Sequence, residues 1–336
     1  MTASSEQVVI SGQPQVRLPD FFIVGHAKCG TTALYETLRA HPQIFMPAVK
    51  EPQFFARNPH TPEGNGGVKS FEQTGRHEET LEQYLSLFSA AAARELVGEA
   101  STFYLWSHAA PGRIAQMRPD AKIIAILREP SSFLYSLHLQ MLQNRSETEK
   151  DLRRALALED ARRRGEQIPR DAHWPAALMY SERVRYVQQL RRYHSSFASE
   201  QVLVLIYDDF KRDNEQTVRR VLRFLGVDHT VSLDPVRVNP TVAVRSDRLR
   251  SLVRAVRLGT GPVSRAVRGA TLALTSSSVR RNVLHPLRRR VVYSAPPPPD
   301  ESLMAELRVR FKGEVVALSE YLGRDLVAEW GYDDVG

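Results

Sequence analysis

Residues 21 to 32 read Phe21-Phe22-Ile23-Val24-Gly25-His26-Ala27-Lys28-Cys29-Gly30-Thr31-Thr32. An apolar strand runs here into a glycine-punctuated turn, and Ala33 to Ala40 then have helix-forming composition. A turn of this kind leaves backbone N–H groups and a helix N-terminus aimed at one spot, where the helix dipole and the Lys28 ammonium favour an anion. The stretch therefore implies a phosphate cradle.

The position of the lysine narrows that reading. The loop of nucleotide triphosphatases has the order G-x-x-x-x-G-K-[ST], with the lysine after the second glycine and the hydroxyl on magnesium. Gly25 and Gly30 keep that glycine spacing, but Lys28 lies between them and Thr31-Thr32 follow. The cradle is expected to hold phosphate without a metal ion. A small-molecule kinase needs the lysine at the position of Thr31, which counts against that alternative; a non-catalytic nucleotide or polyanion binding protein is the other alternative.

Around this turn, apolar β-branched runs predict strands at Phe21 to Val24, Glu95 to Gly98, Lys122 to Leu127 and Val202 to Tyr207. Between them, periodicity predicts helices at Thr32 to Ala40, Leu81 to Phe88, Ser131 to Gln143, Asp151 to Arg164, Ser181 to His194 and Glu215 to Leu225. Leu303, Leu307, Phe311, Val315, Leu318 and Leu322, closed by Gly323, predict a further core-facing helix. Strands alternating with helices give a parallel sheet covered on both faces, with the ligand at the carboxyl ends of the strands.

Four segments in chain order resemble the sulfotransferases that use 3′-phosphoadenosine 5′-phosphosulfate (PAPS), in particular the heparan sulfate branch and its bacterial relatives. Gly25 to Thr32 is similar to that family's G-x-x-K-x-G-T-[ST] loop, and Lys50-Glu51-Pro52-Gln53-Phe54-Phe55 to its K-E-x-[HQ]-F-F stretch. Gly98 to Leu105 is similar to the E-x-[ST] segment. Ile123 to Pro130, followed by Tyr135-Ser136, is similar to the 3′-phosphate site. The resemblance implies an α/β fold, a P-loop-like three-layer sandwich with a central parallel sheet flanked by helices.

The resemblance also implies roles. Lys28 with the amides of Cys29, Gly30, Thr31 and Thr32 would hold the 5′-phosphosulfate, and Arg128 and Ser136 the 3′-phosphate. Arg245 would close over the nucleotide. Glu51 would be the general base, with Pro52 biasing it toward an extended conformation and Phe54-Phe55 anchoring it at a partly dry cleft. Lys50, Glu99, Ser101 and Tyr104 would line the acceptor side. The implied reaction moves a sulfuryl group from PAPS to a hydroxyl, with an amine as second choice, on a saccharide, lipid-linked or small-molecule acceptor. No metal is expected, and 3′,5′-bisphosphoadenosine is the by-product.

Composition bounds the rest. With 336 residues, 42% of them apolar and 25% charged, the chain has the makeup of a soluble globular protein. We expect a flexible tail over 1–18 and a single domain over 19–336, with a helical lid at 145–177 and an arginine-rich insertion at 245–300. Cys29 is the only cysteine, which excludes an internal disulfide or a cysteine metal site and fits a reducing cytoplasm. Between residues 248 and 299 there are eleven arginines and no Asp, Glu or Lys, so this stretch alone carries +11 against +8 for the whole chain. It suits an anionic membrane surface or a polyanion, whereas no base-reading module points to nucleic acid.

Overall fold

The computed structural model describes residues 17–56, 80–93, 95–172, 174–233, 243–244, 293–294 and 296–335. Its centre is a five-stranded, all-parallel sheet: β1 (Phe21–Ile23), β2 (Ile44–Phe45), β3 (Leu96–Ala100), β4 (Lys122–Leu127) and β5 (Val202–Ile206), in the order β2-β3-β1-β4-β5. β1 sits between β3 and β4, with Ile23 opposite Ala100 on one side and Ile124 on the other. Helices cover this sheet, as its strand composition requires: β1 and most of β3 and β4 are buried on both faces.

The helices are α1 (Thr31–Arg39), α2 (Leu81–Ser86), α3 (Ala110–Met117), α4 (Pro130–Asn144), α5 (Leu152–Ala157), α6 (Glu159–Arg163), α7 (Tyr180–Arg183), α8 (Tyr186–His194), α9 (Tyr207–Arg212) and α10 (Asn214–Leu225). A two-stranded antiparallel ribbon follows, β6 (Ala243–Val244) with β7 (Tyr293–Ser294), then α11 (Glu301–Leu322) and α12 (Leu326–Glu329). Of the six apolar positions read as one stripe, Leu303, Leu307, Phe311, Val315 and Leu318 are buried and Leu322 is half-buried against the core, and α11 packs on α4 and α8. Gly323 ends it in the left-handed conformation, as a C-terminal glycine does.

Three expectations change. The helix foreseen over Asp151 to Arg164 is two, α5 and α6, joined at Leu158. That segment is pinned by a bidentate pair between Arg162 and Glu147, both buried, with Tyr180 donating a further hydrogen bond to Glu147. The helix foreseen over Ser181 to His194 is also two, broken at Val184-Arg185, and the break lets Arg183 and Tyr186 both enter the interior. Arg17, placed in the flexible tail, is tied to the body, donating to the carbonyls of Ala92 and Ala93. Residues 1–16 of the tail, Arg245 and nearly all of the arginine-rich stretch lie outside the described residues.

Candidate active site

Three neighbouring strand ends deliver the site. Beyond Ile23, the β1 chain turns through Gly25 to Gly30 into α1. A Cβ at Gly25 would lie 2.8 Å from both the backbone N and O of Ile126 on β4, so only glycine permits that approach. Gly30 takes φ +89° as the N-cap of α1, and a Cβ there would press on Tyr207 and Phe210 at 3.1 Å. Because that cap has no side chain, the helix start keeps its donors: among the described residues no acceptor takes the amides of Gly30, Thr31 or Thr32. No acidic side chain occupies the first turn. This is an anion site in the sense of exposed helix amides plus dipole.

Cys29 departs from its expected part. Its amide already donates to the His26 carbonyl at 3.3 Å, so the cradle's donors begin at Gly30. Its thiol is fully buried, and burial pushes its pKa up to about 12, which makes it inert. Lys28, at φ +69°, is only half-buried. Burial first, and then the nearby Arg128 guanidinium, hold its ammonium below the usual lysine value.

Arg128 follows the end of β4. It donates from Nη1 to the Lys28 carbonyl (3.0 Å) and from Nε to Ser132 Oγ (3.1 Å), and it lies 4.8 Å from the Tyr207 ring centroid. No carboxylate among the described residues forms an ion pair with Arg128 or Lys28. Ser136, expected beside Arg128, is buried on α4 one turn beyond Ser132. The start of α4 differs from that of α1: Glu129 caps it, accepting from the amides of Ser131 (2.9 Å) and Ser132 (2.7 Å). An anion at this second position must therefore be gripped by side chains, whereas the α1 site offers main-chain amides.

Glu51 sits at the end of β3. Its amide donates to Ala100 O (3.0 Å), Lys50 donates to Oε1 (2.7 Å) and Thr102 to Oε2 (3.2 Å). The expected extended conformation is corrected: Glu51 has φ +64° and Gln53 φ +56°. The preference imposed by Pro52 is overridden because the segment coils back onto β3, where Gln53 N–H donates to Ser101 Oγ (3.0 Å). Non-glycine residues in this region cost about 1–3 kcal/mol each, and such strain gathers at functional sites.

Glu99, Ser101 and Tyr104, expected on the acceptor side, are fully buried and hold the Glu51 segment from beneath. Tyr84 and Tyr104 donate to Glu99 Oε2 at 2.9 and 2.8 Å, and Tyr104 Oη accepts from the Phe55 amide at 3.2 Å. Burial raises the Glu99 pKa to about 7, against the lowering contacts of Ser101, Tyr104 and Tyr84. His26 is likewise interior, with Nε2 bonded to Gln189 Oε1 at 2.8 Å, and burial drives its pKa well down.

Sequence reasoning missed Ser132, Glu129, Thr102 and Tyr207. Ser132 and Glu129 had a legible signal, since Glu-Pro-Ser-Ser opens a helix with a capping acid and a proline at N1. Thr102 and Tyr207 reach the site only through strand neighbours.

The arrangement has known counterparts. The profile of the Sulfotransferase family matches residues 19–231. Carbohydrate sulfotransferase 15 of Rattus norvegicus is 27% identical over 253 residues, covering 62% of this chain and 44% of that protein. Heparan sulfate glucosamine 3-O-sulfotransferase 6 of Homo sapiens is 30% identical over 222 residues, covering 66% and 56%. The chain thus spans about half the length of these curated relatives. The crystal structure of a sulfotransferase from Alicyclobacillus acidocaldarius is similar throughout, with 28% identity, a TM-score of 0.67 and coverage of 93% of this chain and 99% of that one. The match spans well over half of the sequence and includes all three strand ends of the site, so the chain belongs to the sulfotransferase family.

Proposed function

We propose that the chain transfers the sulfuryl group of PAPS to the hydroxyl of a saccharide, lipid-linked or small-molecule acceptor, without a metal. The observation that carries this reading is an α1 start with neither a side-chain cap nor an acid, preceded in its turn by Lys28 and flanked by Arg128, which is tied to the Lys28 carbonyl. PAPS supplies an electrophilic sulfur and a diphosphorylated leaving group. The amides of Gly30 to Thr32 and the hydroxyls of Thr31 and Thr32 hold the 5′ oxygens. Lys28 neutralises charge on the departing phosphate oxygen. Arg128 and Ser136 take the 3′-phosphate, and Arg245 joins the nucleotide side. Glu51 accepts the proton of the attacking hydroxyl as its oxygen bonds to sulfur and the sulfur–phosphate-oxygen bond breaks. Lys50 and Thr102 orient that carboxylate through their hydrogen bonds to its two oxygens.

The lone cysteine, which leaves no disulfide to protect, supports action in the cytoplasm. No helix among the described residues is long and apolar enough to cross a membrane. The arginine-rich stretch supports contact with an anionic membrane or a polyanionic acceptor.

Turnover of labelled PAPS in the presence of chelator tests the reading. Lys28→Ala is expected to lower kcat by at least about 10²-fold. Glu51→Gln is expected to lower it by about 10²–10⁴-fold while bisphosphate affinity stays unchanged. Full turnover by Glu51→Gln would remove Glu51 as the base, and turnover with ATP in place of PAPS would remove the donor assignment.

A further inference from the structure

The residues that shape the Arg128 side of the site are themselves held by the C-terminal end of the chain, well beyond the family match at 19–231. Glu129 Oε1 accepts the Ser131 amide and the Ser131 hydroxyl, and it also accepts the hydroxyl of Tyr332, which is fully buried. Glu129 Oε2 fixes the Ser132 amide, and Ser132 Oγ in turn receives Arg128 Nε. A continuous series of hydrogen bonds therefore runs from Tyr332 through Glu129 and Ser132 to the Arg128 guanidinium.

The same segment holds the opposite wall. Arg324 makes a bidentate pair with Asp209, and Trp330 Nε1 donates to Asp208 Oδ2 at 3.1 Å. Both acids lie in the first turn of α9, directly after Tyr207, whose ring carries Arg128 at 4.8 Å. The segment is thus bonded to the residues that adjoin or hold both side-chain neighbours of one guanidinium, Glu129 on the Ser132 side and Asp208 and Asp209 on the Tyr207 side. Arg324 is also paired with Glu329, which locks α12 against the end of α11.

We infer that Tyr332 is a positioning residue for the 3′-phosphate: through Glu129 and Ser132 it fixes the Arg128 guanidinium in the orientation that reads that group. This rests on the assignment of Arg128 to the 3′-phosphate in the proposed function. A merely structural role would weaken all nucleotides alike. A positioning role acts mainly on the 3′ arm, because the amides of the 5′ cradle belong to the β1–α1 turn, which Arg128 touches only at the Lys28 carbonyl.

The test is calorimetric titration of the full chain, wild type and Tyr332→Phe, with 3′,5′-bisphosphoadenosine and with adenosine 5′-phosphate, alongside thermal melting of both proteins. Losing one hydrogen bond to a charged group is expected to weaken bisphosphate binding by about tenfold while adenosine 5′-phosphate affinity holds. Equal weakening of both ligands, or of neither, overturns the inference. Failure of the wild type to prefer the bisphosphate overturns the Arg128 assignment itself, and is read separately from the variant. Should Tyr332→Phe melt early, the ratio of the two affinities, taken below its transition, still decides the matter.

Discussion

Glu99 is a carboxyl group with no exposed surface, and its chemistry follows from that burial. Desolvation raises its pKa to about 7, the Tyr84, Tyr104 and Ser101 contacts notwithstanding, and the Glu51 charge pushes in the same direction as burial. In an unfolded chain the value is about 4.3. For an acid whose folded pKa lies above its unfolded one, stability is highest below the unfolded value and falls as pH rises toward the folded value. The window here is pH 4.3 to about 7, and the loss is roughly 4 kcal/mol at most. Glu99→Gln keeps an acceptor for the two tyrosines and removes the ionisation. Urea unfolding at pH 5 and pH 8 should show the variant gaining on the wild type at the higher pH. Parallel behaviour at both pH values would mean that Glu99 is not the group that titrates.

The same scale shows what the sequence reveals about the site and what it hides. Lys28, Arg128 and Glu51 are readable because each is fixed by a short local pattern at a strand end. Glu99, Ser101 and Tyr104 are adjacent in sequence to such a position, but alternation along β3 and the turn after it sends them inward, and no spacing reveals that. His26 is the plainest case: it lies in the middle of the cradle sequence and yet its ring is enclosed, with Phe133 stacked at 5.2 Å. The left-handed Glu51 is also hidden, since the segment's conformation is imposed by hydrogen bonds from the Glu51 amide to Ala100 and from the Gln53 amide to Ser101, about 50 residues away.

Among elements, the β1–α1 turn depends most on a single atom. Gly25→Ala would put a methyl carbon 2.8 Å from the main chain of Ile126, where nothing flexible can give way. Destabilisation of about 1–3 kcal/mol is expected from such overpacking, together with loss of nucleotide binding. A denaturant midpoint equal to that of the wild type would contradict the close approach.

Four of the five sheet strands are legible as β-branched apolar runs, whereas β2, with only two residues, has no periodicity to read. Helix α3 opens Ala-Pro-Gly, a poor helix-forming start that tertiary packing overrides. Helix α9 begins at Tyr207, immediately after the last residue of β5, leaving no turn to announce it. The splits at Leu158 and at Val184-Arg185 follow from what must be buried rather than from breaker residues, since neither joint contains Gly or Pro.

Across the whole molecule, the parallel sheet explains why the site is where it is. β3, β1 and β4 are adjacent, so their carboxyl ends bring the Glu51 segment, the Lys28 turn and Arg128 to one edge, although these residues span 100 positions of sequence. The helices after β1 and β4 then divide the work: α1 presents free amides, and α4, capped by its own Glu129, presents side chains. The chain on either side of α12 closes the arrangement, with Arg324 bonded to Asp209 and Tyr332 to Glu129. That long-range part is not readable from periodicity, which marks α11 only as a core helix.

The central claim is that Lys28 and the uncapped α1 start bind the diphosphorylated nucleotide without a divalent ion. Calorimetric titration of the full chain with 3′,5′-bisphosphoadenosine in chelator tests it most directly. One-to-one binding is expected in the wild type and at least about tenfold weaker binding in Lys28→Ala, the loss that follows removal of a charge-assisted contact. No heat in the wild type, or undiminished affinity in the variant, would contradict it.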